Sequence, residues 1–448
     1  MKGAAMIERT RNTALANLIS ETGLGKARFA RMVNAVGTEM RLKLRYDDTA
    51  VCHWVTGTVP RPEAQLAILE ALSRRLGRTI TSSAAGFGPL DLALTPDQPD
   101  TVAALIDLWS VDMDPSRRTV LGAVSLYSVT LAVPGWQDVI GRAQRAHTSP
   151  GTRIGRSEVE TVTAMSTRLA DMDDEFGGTL VRPLAAAFLG NTVARYLRCD
   201  ASEKTRKAMC SAAADLAYLT GWMAMDANQH GLAQRYYTQA LRLAGAAGDH
   251  LTYCTALRGM SVQAVGLGHG RKALQYADAA AAAAPAAGPR MRAFLLGQQA
   301  HASAAVGNHD TARRQLREAE TALDKATSRS SPVAGYHPAA LHYHTSHVLY
   351  ELGDLDGSIK AMQESNRYRP QTERRARARS TALLAERQFA NRHLEAACAT
   401  WHRFLDDYQH VSSARCADHV TTLRRSVRQH PANKAARALA ERARMFSA

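Results

Sequence analysis

The sequence predicts an all-α protein, with a small N-terminal domain of helix-turn-helix pattern followed by a right-handed solenoid of helical hairpins. Three observations carry that expectation. Apolar residues recur at helical spacing, with no sustained β-branched alternation. Hydrophobic residues make up 46% of the chain but aromatics only 6%, and so Ala-rich a composition suits closely packed helices. One helix-turn-helix-like pattern also returns five times after residue 216. At 448 residues the chain exceeds the usual size of one compact core, so several regions are expected.

The first region spans residues 1–80. A supporting helix is expected around Lys26-Ala27-Arg28-Phe29-Ala30. A short helix follows that turns Val51 and Trp54 inward and stops at Gly57, a residue suited to the left-handed conformation, with Pro60 and Pro62 preventing immediate continuation. A longer helix restarts after Pro62, with Leu66, Ile68, Leu69, Ala71, Leu72 and Leu76 forming its apolar face. Asp48, Thr49, Cys52, His53 and Thr56 are left outward on the short helix. Asp48 stands where an N-cap is expected, and Trp54 reads as core. Ala30 and Val51 are 21 positions apart, and the segment VNAVGTEMRLKLR between them reads as an insertion. Its alternating Arg41, Lys43 and Arg45 suit a basic wing or loop against phosphates, or a solvated loop.

Residues 81–100, rich in small residues, Gly and Pro and devoid of basic side chains, read as a linker. Residues 101–215 read as connecting helices. Within them Arg117-Arg118 and the apolar run to Gly135 resemble an export signal or a membrane span. The internal position and the embedded Ser, Thr and Tyr make a buried helix the expectation. Repeats occupy 216–413. If the small residue near the start of each second helix is Ala233, Ala273, Ala312, Ser358 and Ala397, the steps are 40, 39, 46 and 39 residues, as a solenoid requires. Residues 414–448 form two basic amphipathic helices parted at Pro431, expected to cap the last apolar face.

Charge narrows the partners. A formal net charge of +15 and a pI near 9.8 suit a polyanion, and residues 1–80 hold 13 Lys/Arg against 7 Asp/Glu. The basic run 366–380 suits a groove lining, an acidic peptide or plain solvation. The six cysteines are dispersed without a CxxC pair and no apolar leader opens the chain, so a reducing, cytoplasmic setting without membrane insertion is expected. His337, His342, His344 and His347 are the only metal-like cluster and lack a Cys or carboxylate set. Neither phosphate-binding loops nor nucleophile motifs occur. No enzyme, cofactor or metal is therefore expected.

Phe29-Ala30, YDDTAVCHWVTGTVPRP and the later SRRLGR resemble the actinomycete Xre-like helix-turn-helix regulators. The repeats resemble tetratricopeptide repeats, on Gly221, Ala233, Tyr237 and Ala240 in the first unit and Ala300, Gly307, Ala312 and Ala319 in the third. They depart from that family in being longer than about 34 residues and in lacking most of its unit-end prolines. The resemblance implies double-stranded DNA as partner, with Asp48, Thr49 and His53 at base edges and Lys26 at phosphate. It also implies a homodimer, a peptide or small-molecule effector received by the repeats, and control of development or secondary metabolism. The alternative is a repeat scaffold that does not bind DNA.

Overall fold

The structure is a computed structural model, and it describes residues 11–40, 42–78, 80–87, 100–113, 127–129, 131, 133–136, 153–284, 287–326 and 336–446. Among the described residues there is no β-strand, only one isolated parallel bridge between Arg153 and Asp200. The protein is all-α and divides into two compact units, chiefly residues up to 98 with 114–133, and the remainder.

Among the described residues, four helices build the N-terminal unit: α1 (Thr13–Glu21), α2 (Lys26–Glu39), α3 (Asp48–Val55) and α4 (Pro62–Leu76). Each boundary has a local cause. Asn12 caps α1 by accepting from Leu15 N, Pro62 opens α4 where its missing N–H is harmless, and Gly77 ends α4 at φ 68°. Leu15, Phe29, Ala30, Val33, Val51, Trp54, Ile68 and Leu72 form one core.

Four expectations are corrected here. α2 runs to Glu39, so residues 33–39 are helix, and only Met40–Asp47 connects α2 to α3. Gly37 lies within this continuation, where a Cβ would strike Leu44. The N-cap of α3 is Asp47, whose carboxylate accepts from Ala50 N, and Asp48 is the first helical residue. Residues 81–87 are no loose linker: Ala85 is buried in the core and Asn12 Nδ2 donates to its carbonyl at 2.9 Å. The apolar run expected as a helix after Arg117 lies mostly outside the described residues. Its described part is non-helical, since Val129 N donates to Glu70 and Tyr127 O accepts from Arg74.

The C-terminal unit opens with α5 (Thr101–Met113), α6 (Arg156–Phe176) and α7 (Gly178–Phe188), the last continuing through a π turn to Tyr196. Six helical hairpins follow, in which α8 (Glu203–Asp226) pairs with α9 (His230–Ala247), α10 (His250–Gly266) with α11 (Gly270–Ala282), and α12 (Pro289–Ala305) with α13 (His309–Asp324). They continue as α14 (Pro338–Glu351) with α15 (Leu355–Tyr368), α16 (Arg374–Ala390) with α17 (Leu394–Tyr408), and α18 (Ala414–Val427) with α19 (Lys434–Arg444). The first hairpin thus starts at Glu203, before the expected 216. Adjacent hairpins pack on one another, as in a tetratricopeptide-like solenoid.

One register governs five of these hairpins. Each turn contains a single left-handed residue: Asn228, Gly268, Gly307, Gly353 or Arg392. Five positions later stand Ala233, Ala273, Ala312, Ser358 and Ala397, and twelve positions before those stand Gly221, Ser261, Ala300, Ser346 and Ala385. All ten are buried. Small side chains on both helices let the backbones approach until hydroxyls reach across, as from Ser261 Oγ to Ala273 O at 2.8 Å and from Ser358 Oγ to Ser346 O at 2.9 Å. The α18–α19 hairpin lacks this pair and seals the array with Val420, Leu423, Leu439 and Ala443 against Trp401 and Phe404.

Contacts distant in sequence also join α6 and α7 to later helices of this unit. Ser412 N donates to Phe176 O at 2.7 Å, and Thr179 N to Ser412 O at 3.1 Å. Arg375, on α16, reaches Asp173 at 2.8 Å and Asp174 at 2.9 Å on α6, and lies 3.9 Å from Asp226 on α8. Burial pushes the Asp173 carboxyl up to about 7, with Arg375 pulling against it and Asp226 and Asp174 adding to it.

Candidate nucleic-acid interface

The exposed side of α3 is set by what its other side buries. Val51 and Trp54 enter the core, and Tyr46 meets Trp54 edge-on at 4.8 Å. Asp48, Thr49 and His53 are consequently exposed, with Thr49 and His53 one turn apart on a common face. The Asp48 carboxylate accepts from Thr49 N at 3.1 Å, and an acidic first-turn residue also suits the positive end of the helix dipole.

The connection before α3 is pinned. Asn34 Nδ2 donates to Tyr46 O and Tyr46 N donates to Asn34 Oδ1, both at 2.8 Å, while Leu42 N donates to Gly37 O. Leu42, Leu44 and Tyr46 pack on the core, so the alternate residues Lys43 and Arg45 face solvent. The third member of the expected basic set, Arg41, lies outside the described residues. Lys26, exposed at the first position of α2, donates from Nζ to Cys52 Sγ at 3.2 Å. It therefore sits beside α3.

Neutralisation separates the remaining cations. Arg74 bonds both oxygens of Glu39 and also Glu70, whose carboxyl is pushed up by burial and held back by Arg74. Arg78 pairs with Glu21, and Arg75 donates to Thr22 O. The basic cluster of SRRLGR is thus structural. By contrast Arg28, Arg31, Lys43, Arg45 and Arg61 are exposed and make no ion pair among the described residues. Arg28 and Arg31 were missed from the sequence, although their i, i+3 spacing opposite Phe29, Ala30 and Val33 was a usable signal.

The histidine cluster disperses. His337 pairs with Glu373 at 2.8 Å, His342 stacks on Tyr368, His344 meets the Tyr336 hydroxyl at 3.1 Å, and His347 stacks on His301 at 4.3 Å. Among the described residues no group of three or more His, Cys, Asp or Glu side chains is placed to hold a metal ion. No described helix is long and apolar enough to cross a membrane. All six cysteines are free.

A sequence-family profile described as SP15 N-terminal domain matches residues 15–88, the stretch that holds most of α1 and all of α2 to α4. No curated protein sequence matches the chain significantly. Among solved structures, the chain is similar to one in the "Crystal structure of APC/C hetero-tetramer Cut9-Hcn1". The identity is 14%, covering 96% of this chain and 74% of that one, with a TM-score of 0.32.

Proposed function

We propose that the chain is a sequence-specific DNA-binding transcriptional regulator, in which the N-terminal unit reads a duplex. In this reading the hairpin array receives a peptide or small-molecule effector, joins two copies, or both. The observation that carries the proposal is a sorting of charge on the N-terminal unit. Arg74, Arg75 and Arg78 are satisfied internally, whereas Lys26, Lys43 and Arg45 flank the exposed Asp48, Thr49 and His53 of α3. Such an arrangement offers backbone-directed cations around a short helix whose first turn is free to meet base edges. The eight-residue connection between α2 and α3 differs from the tight turn of simple readers, and it places Lys43 and Arg45 as a pinned arm.

A gel-shift titration against the protein's own promoter region, repeated over a salt series, tests the reading. Specific binding whose logarithm falls linearly with log salt is expected. Salt-independent or absent binding would leave the second reading, a scaffold that engages proteins through its tetratricopeptide-like array. That alternative is favoured by the hairpin array's share of the chain.

A further inference from the structure

The first helices of the hairpins carry an unusual set of side chains toward one another. Arg258 on α10 lies with its guanidinium carbon 3.7 Å from the centroid of Phe294 on α12, and Arg379 on α16 lies 5.9 Å from that of Tyr343 on α14. Tyr343 in turn meets His347 at 4.5 Å, and His347 stacks on His301. Arg387 donates to Ser346 Oγ, and Arg415 of α18 has a buried Nη1 with no partner. Four arginines thus surround Tyr343, His301 and His347.

None of the four forms an ion pair among the described residues. Arg258 hydrogen-bonds only a carbonyl, that of Phe294 at 3.3 Å, and Arg379 makes no hydrogen bond or ion pair among the described residues. Most nearby carboxylates are engaged elsewhere: Asp173 and Asp174 by Arg375, Asp226 by Gly178 N and Ser413 Oγ, and Glu386 by His419, while Glu351, near Arg387, is exposed and forms no ion pair with it. Burial, with repulsion from Arg379 added, pushes the Arg415 guanidinium down to about 10 against the pull of Tyr343 and Asp226, and burial lowers Arg387 to about 10. Unpaired buried cations are expensive unless an anion joins them. Arg258 and Arg387 are buried, while Arg379, Arg415, Tyr343 and His347 are half-buried. The former make a floor and the latter a rim reachable from solvent.

We propose that this face of the hairpin array is a binding site for a small multivalent organic or inorganic anion carrying carboxylate or phosphate groups, held by Arg258, Arg379, Arg387 and Arg415. Planar guanidinium forks suit both kinds of oxyanion. The inference deepens the effector role proposed above and rests on it only for its consequence, not for binding.

The test is thermal unfolding and calorimetric titration of the full chain with citrate and, separately, with pyrophosphate. Saturable binding of one anion per chain is expected, raising the midpoint by about 5 °C at a hundredfold excess over Kd. Stronger binding of citrate assigns the site to carboxylates, and stronger binding of pyrophosphate to phosphates. Arg379→Gln and Arg415→Gln, which break no hydrogen bond, are expected to lower affinity at least tenfold each while leaving the anion-free midpoint within about 2 °C. No stabilisation by either anion, or equal stabilisation of both variants, overturns the site. Failure of DNA binding in the gel shift removes the regulator reading and leaves this site standing.

Discussion

Removing the Arg375 guanidinium is the sharpest test of how the C-terminal unit holds together. Arg375 is 6% exposed and faces Asp173, Asp174 and Asp226, with its Nε also donating to Asp173 O at 3.2 Å. In Arg375→Met the methylene volume is retained but the cation is lost. Asp226 keeps two donors, Gly178 N and Ser413 Oγ. Asp174 is half-exposed and finds water. Asp173, buried and with its Oδ1 already lacking a partner, is left bare. Breaking one side of a buried ion pair costs about 3–5 kcal/mol, which for a unit of this size lowers the melting midpoint by about 4–7 °C. Burial already raises the Asp173 carboxyl to about 7, and losing Arg375 removes the main influence lowering it. A carboxyl raised in the folded state favours folding where it is protonated, and that contribution fades as pH rises through its folded pKa. The deficit of the variant is therefore greatest at pH 8 and shrinks toward pH 5. Circular dichroism melts at several pH values measure it, with Trp222 fluorescence as a local reporter, since Arg375 lies 5.9 Å from that ring. A loss below about 1 kcal/mol, or one independent of pH, would refute the reasoning.

Further outcomes follow from the same geometry. Arg392→Gly is expected to stabilise by up to about 1 kcal/mol, because Arg392 occupies φ 61°, where a Cβ is strained; denaturant midpoints decide it. Ala233→Leu, at a fully buried helix contact, is expected to cost about 1–3 kcal/mol by overpacking, and an unchanged melt speaks against the register. Burial holds the His301 imidazole down to about 3, so the folded state stays neutral while the unfolded chain takes a proton below about pH 6.5. Stability from this group is full above that pH and falls by about 2 kcal/mol by pH 5, and His301→Gln should lose that dependence relative to the wild type. Lys43→Ala with Arg45→Ala should reduce the salt slope of DNA binding by about 2, whereas Thr49 and His53 substitutions should alter sequence preference; equal weakening on all sequences would deny them base contact.

Local signals made much of this fold legible. Gly57 and Pro62 bound α3 and α4, and the small residues from Ala233 to Ala397 are buried with the spacing read from the sequence. Adjacent acids were harder: Asp47 and Asp48 are equal as N-cap candidates, and only the extended backbone at Asp47, φ −120° and ψ −172°, separates them. Gly37 stands inside α2 for a reason no local pattern carries, its close contact with Leu44. The arginine and histidine face was illegible for a different reason. Its members come from α10, α12, α14, α16 and α18, and pattern along one helix says nothing about which helix faces which. Conversely, His337, His342, His344 and His347 look gathered in sequence, yet successive helical positions aim them at Glu373, Tyr368, Tyr336 and His301.

In an open helical array, neighbours alone communicate, so stability is a sum of local terms and end units fray first. The bonds of Phe176 and Thr179 to Ser412, together with Arg375 and its carboxylates, tie α6 to elements some two hundred residues onward. That tie makes α6 answer to more than its chain neighbours. Truncating α6 exposes the Arg375 charge as well as an apolar face, and unfolding of α6 must break contacts whose other half is distant in sequence. Hydrogen exchange in α6 and α16 should accordingly rise together, with α10 to α15 following as one cooperative block instead of hairpin by hairpin.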